Sequence, residues 1–360
     1  MKSADRRNSL ALAMLGAGAA FFLWSMRRRA RRIDFMGKTV VIAGGSRGLG
    51  LEIARQLVKE GARLVLLARR PDELERARAE LARAGGDVIT FPCDIGVRQQ
   101  VEEAVAAVIE LRRSIDVLIN VAGVIQVAPF ENLELKDFQE SMDVHAWGPY
   151  HMIRAVAPHM QRRRSGRIVN VSSIGGLVAV PHLLAYTMGK FALTGLSDGF
   201  RAELAKDGIY VTTVAPGLMR TGSHINANFK GQHQKEFAWF AISGANPALS
   251  TAAPAAAHKI IEACRYGQAR LIINWPARLL HAANALFPEM TSVAAGVAAR
   301  MLPGPAAPAD NRQHPGWDSR SRLAPSFLTR SSDRAIEQNN EQPHDSAYVE
   351  RVDGRYRSRV

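Results

Sequence analysis

The chain has 360 residues, 47% of them hydrophobic, and carries a formal net charge of +14, so it can bury one large core or two modest ones. Its two cysteines, Cys93 and Cys264, exclude a disulfide framework and a cysteine metal site; both fit a reducing compartment as small packed apolar groups. The positive charge collects in the run Arg27, Arg28, Arg29, Arg31 and Arg32, on helix faces and in a polar tail, without basic–aromatic interleaving, so nucleic acid is not an expected partner.

From Ser9 to Met26 no charged residue interrupts S-L-A-L-A-M-L-G-A-G-A-A-F-F-L-W-S-M. As a helix at ~1.5 Å per residue this stretch reaches about 27 Å, enough for a bilayer core. Phe21, Phe22 and Trp24 lie near the arginine end, where aromatic rings favour the headgroup zone, and the heavier positive flank follows them. The reading is a single-pass membrane anchor with the body of the chain on the cytoplasmic side. A cleaved secretory signal fits less well, because the small-residue patch Ala17–Ala20 runs directly into Phe21–Trp24 and the arginines.

Beyond Met36 the periodicity alternates. Short β-branched runs at Thr39–Ile42, Leu64–Leu67, Val88–Phe91, Val117–Ile119, Ile168–Val171, Val211–Val214 and Leu271–Ile273 predict about seven strands. Stretches with helical spacing lie between them, such as Leu49–Glu60, Asp72–Ala84 and Val97–Arg112. Strands apolar on both faces and separated by helices predict the α/β class, a doubly wound parallel sheet of Rossmann type. Its ligand belongs at the carboxyl ends of the strands.

The first predicted strand runs into A-G-G-S-R-G-L-G, from Ala43 to Gly50. Gly44, Gly48 and Gly50 allow a tight turn, close approach of backbone to phosphate oxygens, and packing of helix on strand; Ser46 and Leu49 belong to the same turn. The second strand ends at Leu67, followed by Arg69 and Arg70 where a carboxylate would accept the 2′-hydroxyl of NAD. With Arg47 in the turn, these guanidinium forks suit a 2′-phosphate, so NADP(H) is preferred over NAD(H). At the third strand end Asp94, beside Ile95, is placed to accept from an adenine amino group. Asn120, Ala122 and Gly123 end the fourth strand in a small-residue turn that leaves room beside the ribose.

Tyr186 and Lys190 are four residues apart in a predicted helix, offset by about 40° and ~6 Å along one face. A phenol is a poor acid or base at neutral pH, and a nearby ammonium is expected to lower its pKa towards the working range. Ser173, just after the fifth strand, is placed to hydrogen-bond a substrate oxygen and hold it against Tyr186. By spacing alone a Tyr-x-x-x-Lys pair arises often by chance.

Taken in order, A-G-G-S-R-G-L-G, C-D-I at Cys93, N-V-A-G at Asn120, V-N-V-S-S at Val169, Y-T-M-G-K at Tyr186 and A-P-G-L-M-R-T at Ala215 resemble the short-chain dehydrogenase/reductase family across Gly37 to Ile273. The resemblance implies Tyr186 as general acid/base, Lys190 as its activator and a ribose contact, and Ser173 as positioner of the carbonyl. The neighbouring Ser172 is set aside because the thirteen-residue gap to Tyr186 favours Ser173. It also implies that Pro216, Gly217 and Thr221 border the nicotinamide carboxamide. One departure is His145, in Val144-His145-Ala146-Trp147-Gly148, where the family commonly has asparagine. His145 is therefore either a proton-relay residue or a structural one. His182, four residues before Tyr186, is expected to line the pocket wall or pack.

After Thr221, the stretch 222–250 is expected to cover the substrate. It carries Phe229, Phe237, Trp239 and Phe240, which either face a lipophilic substrate (fatty-acyl, sterol, retinoid or isoprenoid type) or pack the lid onto the sheet. Residues 276–303 show Leu279, Ala283, Leu286, Met290, Val293, Val297 and Met301 at helical spacing, a stripe expected to dock on its own domain. Past Pro303 the polar composition predicts a disordered tail. The expected organisation is thus a short tail (1–8), a membrane anchor (9–26), an arginine-rich linker (27–35), a catalytic domain (36–275) with its lid (222–250), an apolar helical extension (276–303) and the tail (304–360). The function read from it is hydride transfer between NADP(H) and a carbonyl or alcohol, without a metal and with a homo-oligomer possible in the family. The rivals are epimerisation or dehydration on the same scaffold, and a non-catalytic dinucleotide-binding regulator.

Overall fold

The computed structural model describes residues 26, 28–306, 311–321, 324, 329, 332, 335, 336 and 338–341, and the backbone of 349–352 and 355–358. Apart from Met26, the span expected in the membrane lies outside these residues. Among the described residues no helix is long and apolar enough to cross a membrane.

Strands and helices alternate along the chain: β1 (Thr39–Ala43), α1 (Gly48–Lys59), β2 (Arg63–Ala68), α2 (Pro71–Arg83), β3 (Asp87–Pro92), α3 (Arg98–Arg112) and β4 (Val117–Asn120). Then come α4 (Leu135–Met142), α5 (Gly148–Arg163), β5 (Gly166–Val171), α6 (Leu184–Leu204), β6 (Ile209–Pro216), α7 (His233–Ala245), α8 (Ala253–Arg265) and β7 (Arg270–Ile273). The seven strands form one sheet in the order β7-β6-β5-β4-β1-β2-β3, every pair parallel. The order reverses between β1 and β4, which opens a crevice at their carboxyl ends.

Side-chain alternation explains why both faces of these strands are apolar. Val40 and Ile42 of β1 join Leu64 and Leu66 of β2 in one core, covered by α1 (Ala54, Leu57) and α8 (Ile260, Cys264). Val41, Ala43, Val65 and Leu67 point the other way, into a second core with Val101, Val105 and Val108 of α3 and Met152, Ile153 and Val156 of α5. The apolar positions of α3 recur every three to four residues, the spacing that puts them on one helical face. Both cysteines are buried in these cores, and burial pushes each thiol up to about 12.

Three parts of the chain differ from the sequence reading. The lid contains a helix, α7, whose Phe237, Ala238 and Ala241 form a third apolar cluster with Val127, Leu183 and Phe229. The extension is two helices, α9 (Trp275–Leu286) and α10 (Pro288–Met301), broken where Pro288 cannot continue α9. Its stripe does not dock on the domain: Ala277 is the one buried residue of α9, α10 has none, and Leu279, Leu286, Met290, Val293, Val297 and Met301 are exposed. The hairpin meets the body near the end of β7, and most of its apolar stripe faces outward. Finally, described parts of the tail expected to be disordered are packed: Ala324 and Ile336 enter the lid cluster and Glu341 is buried.

Candidate active site

The turn after β1 is shaped by what its glycines exclude. Gly44 has φ +93, and a Cβ there would stand 2.6 Å from the amide nitrogen of Ala122; on Gly50 it would stand 2.0 Å from the carbonyl of Gly44. No side chain fits at either position, so the turn can pass close to the end of β4 and fold back on the start of α1. Gly44 N–H donates to Leu67 O at 2.7 Å and Ala122 N–H to Ala43 O at 2.8 Å, tying the ends of β1, β2 and β4 together.

One cavity of about 400 Å³ runs along these strand ends. Gly44, Ser46, Arg47, Gly48, Leu49 and Gly50 line it from the turn; Arg69, Arg70, Asp94 and Ile95 from the ends of β2 and β3; Ala122 and Gly123 from β4. Ser173, Tyr186, Lys190, Pro216, Gly217 and Thr221 line its other half. Two expected residues stay out of it. Asn120 is turned into the sheet, donating to Asn170 Oδ1 at 2.8 Å, and His145 lies behind Tyr186, their rings edge-on at 5.3 Å. Asp94 keeps its Oδ1 on the Gly96 amide, 3.0 Å away.

Sequence reasoning missed Glu73. Its carboxylate accepts from Ser46 Oγ at 3.1 Å and from Arg47 Nη1 at 3.3 Å, and lies 3.4 Å from Arg70 Nε. An acid in a first helical turn reads as compensation of the helix dipole, so the pattern carried no other signal. Here the acid holds two of the three arginines expected to meet a 2′-phosphate. Arg47 also donates to Asn226 Oδ1 at 2.6 Å.

The residues expected to transfer a proton come together where α6 meets the end of β5. Ser173 starts a short turn and accepts from Gly175 N–H at 3.0 Å. Ser172 also lines the cavity, but its Oγ is engaged with Lys190 O and Thr194 Oγ1, a structural role. Burial pushes the Tyr186 phenol above its ordinary range, and a hydrogen bond with Ser173 pulls it partly back. Lys190 Nζ donates to Val171 O at 2.9 Å and lies 5.7 Å from the centre of the phenol ring. Burial lowers this amine to about 7. The expected lowering of the phenol by its amine is therefore not the leading effect; desolvation of both groups is.

Of the two roles open to His145, the hydrogen bonds support the structural one. Ser141 Oγ gives its single proton to Ala185 O at 2.6 Å, so it can only accept from His145 Nδ1, 3.2 Å away. The opposite nitrogen, Nε2, accepts from Val124 N–H at 3.2 Å. Burial, aided by Lys190, holds the ring well below its ordinary pKa, hence neutral. The imidazole sits in a single π-type turn, Asp143–Trp147, between α4 and α5, and ties this turn to the strand-β4 loop and the start of α6. Gly189 makes the approach possible, since a Cβ there would stand 2.9 Å from His145 Nδ1.

The lid aromatics divide. Phe229 and Phe237 pack against each other in the lid cluster, while Trp239 and Phe240 line the cavity with Val180 and Leu183. His182, at φ +61, does not reach the cavity. Its Nδ1 lies 2.9 Å from Glu236 Oε1, and the fully buried Glu236 also accepts from Trp239 Nε1 at 2.6 Å. This pairing fixes the indole as part of the pocket wall.

The family model for short chain dehydrogenase matches residues 38–230. A dehydrogenase/reductase SDR family protein 7-like of Anopheles gambiae is 36% identical over 206 residues, covering 56% of this chain and 64% of that protein. The chain thus aligns with under two thirds of that relative's length. Among solved structures, L-sorbose reductase from Gluconobacter frateurii, complexed with NADPH and L-sorbose, is 26% identical with a TM-score of 0.61, covering 67% of this chain and 97% of that one. NAD+-bound xylitol dehydrogenase is 25% identical with a TM-score of 0.59, covering 67% and 99%.

Proposed function

Because this chain belongs to the short-chain dehydrogenase family, we propose that it is an NADP(H)-dependent oxidoreductase interconverting a lipophilic carbonyl and its alcohol. The observation carrying this reading is the convergence of Ser173, Tyr186 and Lys190 on one cavity with the glycine turn at its far end. The tight turn at Gly44 and Gly50, where any side chain would collide with the chain's own backbone, fits a dinucleotide because it sets the start of α1 against the end of β1. Such a cofactor supplies the hydride when bound. The residues of this chain handle the proton. Ser173 Oγ orients the substrate oxygen, and Tyr186, kept protonated through neutral pH by its burial, donates to that oxygen during reduction. Lys190 provides cationic character behind the phenol as the proton leaves.

Arg47, Arg69 and Arg70 support a 2′-phosphate and hence NADP(H). Replacing Arg47 and Arg69 together by alanine is expected to raise KM for NADPH by about 10- to 100-fold, the range for lost charge-assisted hydrogen bonds. KM for NADH should change much less. A second reading rests on Glu73, whose carboxylate beside Ser46 is suited to accept a ribose hydroxyl and thus NAD(H). Equal effects of the arginine substitutions on both cofactors, with Glu73→Gln harming NADH alone, would select it.

The lipophilic assignment rests on Trp239, Phe240, Val180 and Leu183 in the cavity wall. The test is a substrate panel with detergent-solubilised full chain, following NADPH absorbance over long-chain aldehydes and ketones and short sugars or polyols. Faster turnover of the polar set would overturn it, and hydride-free conversion of a substrate would return the function to epimerisation or dehydration. Attachment through residues 9–26, with the catalytic body on the cytoplasmic side, is part of the same proposal and is tested by alkaline extraction of membranes and protease protection.

A further inference from the structure

The chain's own residues 338–341 lie across the rim of the dinucleotide turn. Gly48 N–H, at the start of α1, donates to Asn339 O at 2.9 Å. Gly222 N–H donates to Glu341 Oε2 at 2.6 Å, and Glu341 Oε1 stands 3.0 Å from the point a Cβ on Gly48 would take. Asn340 Nδ2 donates to Ser46 O at 2.9 Å and Glu73 O at 3.2 Å, while Asn340 Oδ1 accepts from Arg76 at 2.8 Å. Arg55 of α1 donates to Asn339 Oδ1 at 2.9 Å and Gln338 O at 2.6 Å. Side chains of two helices and backbone of the turn thus converge on one short segment, which is a built site rather than a chance contact.

The chemistry of the seat is that of an anion site. Amides at a helix start and in a glycine turn point at a phosphate in dinucleotide-binding folds. Here one such donor, the Gly48 amide, meets the carbonyl oxygen of Asn339, and the amide of Gly222, at the head of the short turn Gly222–His224, meets the Glu341 carboxylate. Glu341 lines the same cavity as Tyr186 and the turn. A dinucleotide phosphate at the Gly48 amide would displace the Asn339 carbonyl and stand beside the Glu341 carboxylate, and the two anions would repel each other. The carboxylate is also held at a cost: its burial, to which Glu73 adds and which Arg47 and the Gly222 amide oppose, pushes its pKa up to about 7.

We propose that residues 338–341 are a built-in competitor of the dinucleotide cofactor, occupying the phosphate end of its seat and leaving it when the cofactor enters. The inference rests on the cofactor reading above. It also couples that end of the crevice to the lid, because Ile336, two residues before the competitor, is packed in the lid cluster with Phe229 and Phe237. Cofactor entry then loosens the cover over the substrate end.

A closed state favoured about tenfold would weaken apparent cofactor affinity about tenfold. The test compares NADPH dissociation constants, read from NADPH fluorescence, for the full chain and its Asn340→Ala/Glu341→Ala variant. The expected result is about tenfold tighter binding by the variant, reversed by adding a synthetic peptide of residues 332–341. Hydrogen exchange at 338–341 in the unaltered chain should rise when NADPH is added. Unchanged or weaker binding by the variant, with exchange falling on NADPH addition, overturns the inference and makes the segment a wall closing over the cofactor. Failure of both proteins to bind NADPH or NADH overturns it together with the cofactor reading, so the two failures are told apart by the unaltered chain. A melting temperature for each protein checks that the variant is folded.

Discussion

Tyr186→Phe is expected to lower kcat by about 10³-fold, within the usual range for removing a general acid, while leaving NADPH affinity nearly unchanged. The substitution deletes one oxygen from a ring that otherwise keeps its packing against His145, so the fold should survive. Stopped-flow or steady-state NADPH oxidation, with a fluorescence titration for binding, measures both quantities. The pH dependence carries the sign of the mechanism. Burial raises the phenol above its ordinary range, so the protonated form needed for reduction is present throughout neutral pH and the reductive rate should be flat there. Alcohol oxidation needs the ionised phenol, so its rate should climb with pH into the alkaline range. A reductive rate that survives Tyr186→Phe would remove the acid/base assignment of this residue.

Lys190→Met should separate activity from stability. The amine is buried, it donates to Val171 O, and desolvation lowers it from 10.5 to about 7. A base whose pKa falls on folding costs stability as pH drops from its unfolded value to its folded one; above the unfolded value the cost is absent, and below the folded value it is complete. Methionine of similar length removes that cost. The variant is expected to be more stable than the unaltered chain at pH 7 and below, on the order of a few kcal/mol, with the advantage shrinking towards pH 10. Its kcat should fall by about 10²-fold or more, as the cation behind the phenol is lost. Denaturant melts at several pH values read the first effect and turnover reads the second. A variant that is both less stable and fully active would assign Lys190 to packing alone.

Local pattern carried much of the fold because it is local in origin. Strands such as Thr39–Ala43 and Arg63–Ala68 are short runs of β-branched and apolar residues, and a parallel sheet covered on both faces demands such runs. The glycine turn was legible for a related reason: Gly44 and Gly50 stand where a single Cβ would collide with backbone. The roles of histidines and acids were less legible. His145 and His182 are both histidines near Tyr186, yet one is a neutral tether on Ser141 and Val124, and the other pairs with Glu236 to fix Trp239. Glu73 sits in a helical turn that invites an acid on any protein, and only its neighbours Ser46, Arg47 and Arg70 give it a place at the cofactor seat.

By itself the amino-acid sequence determined the α/β alternation, the turn able to take a dinucleotide phosphate, and the residue types proposed to exchange a proton, since each follows from neighbours within a few positions. Only the tertiary structure decided how the lid aromatics divide between packing and pocket, that the α9–α10 stripe stays exposed, and that Asn339 and Glu341 return to the amides of Gly48 and Gly222. Those contacts join residues more than a hundred positions apart. Their donors and acceptors acquire meaning from what folding sets beside them, and no pattern along the chain records that distance.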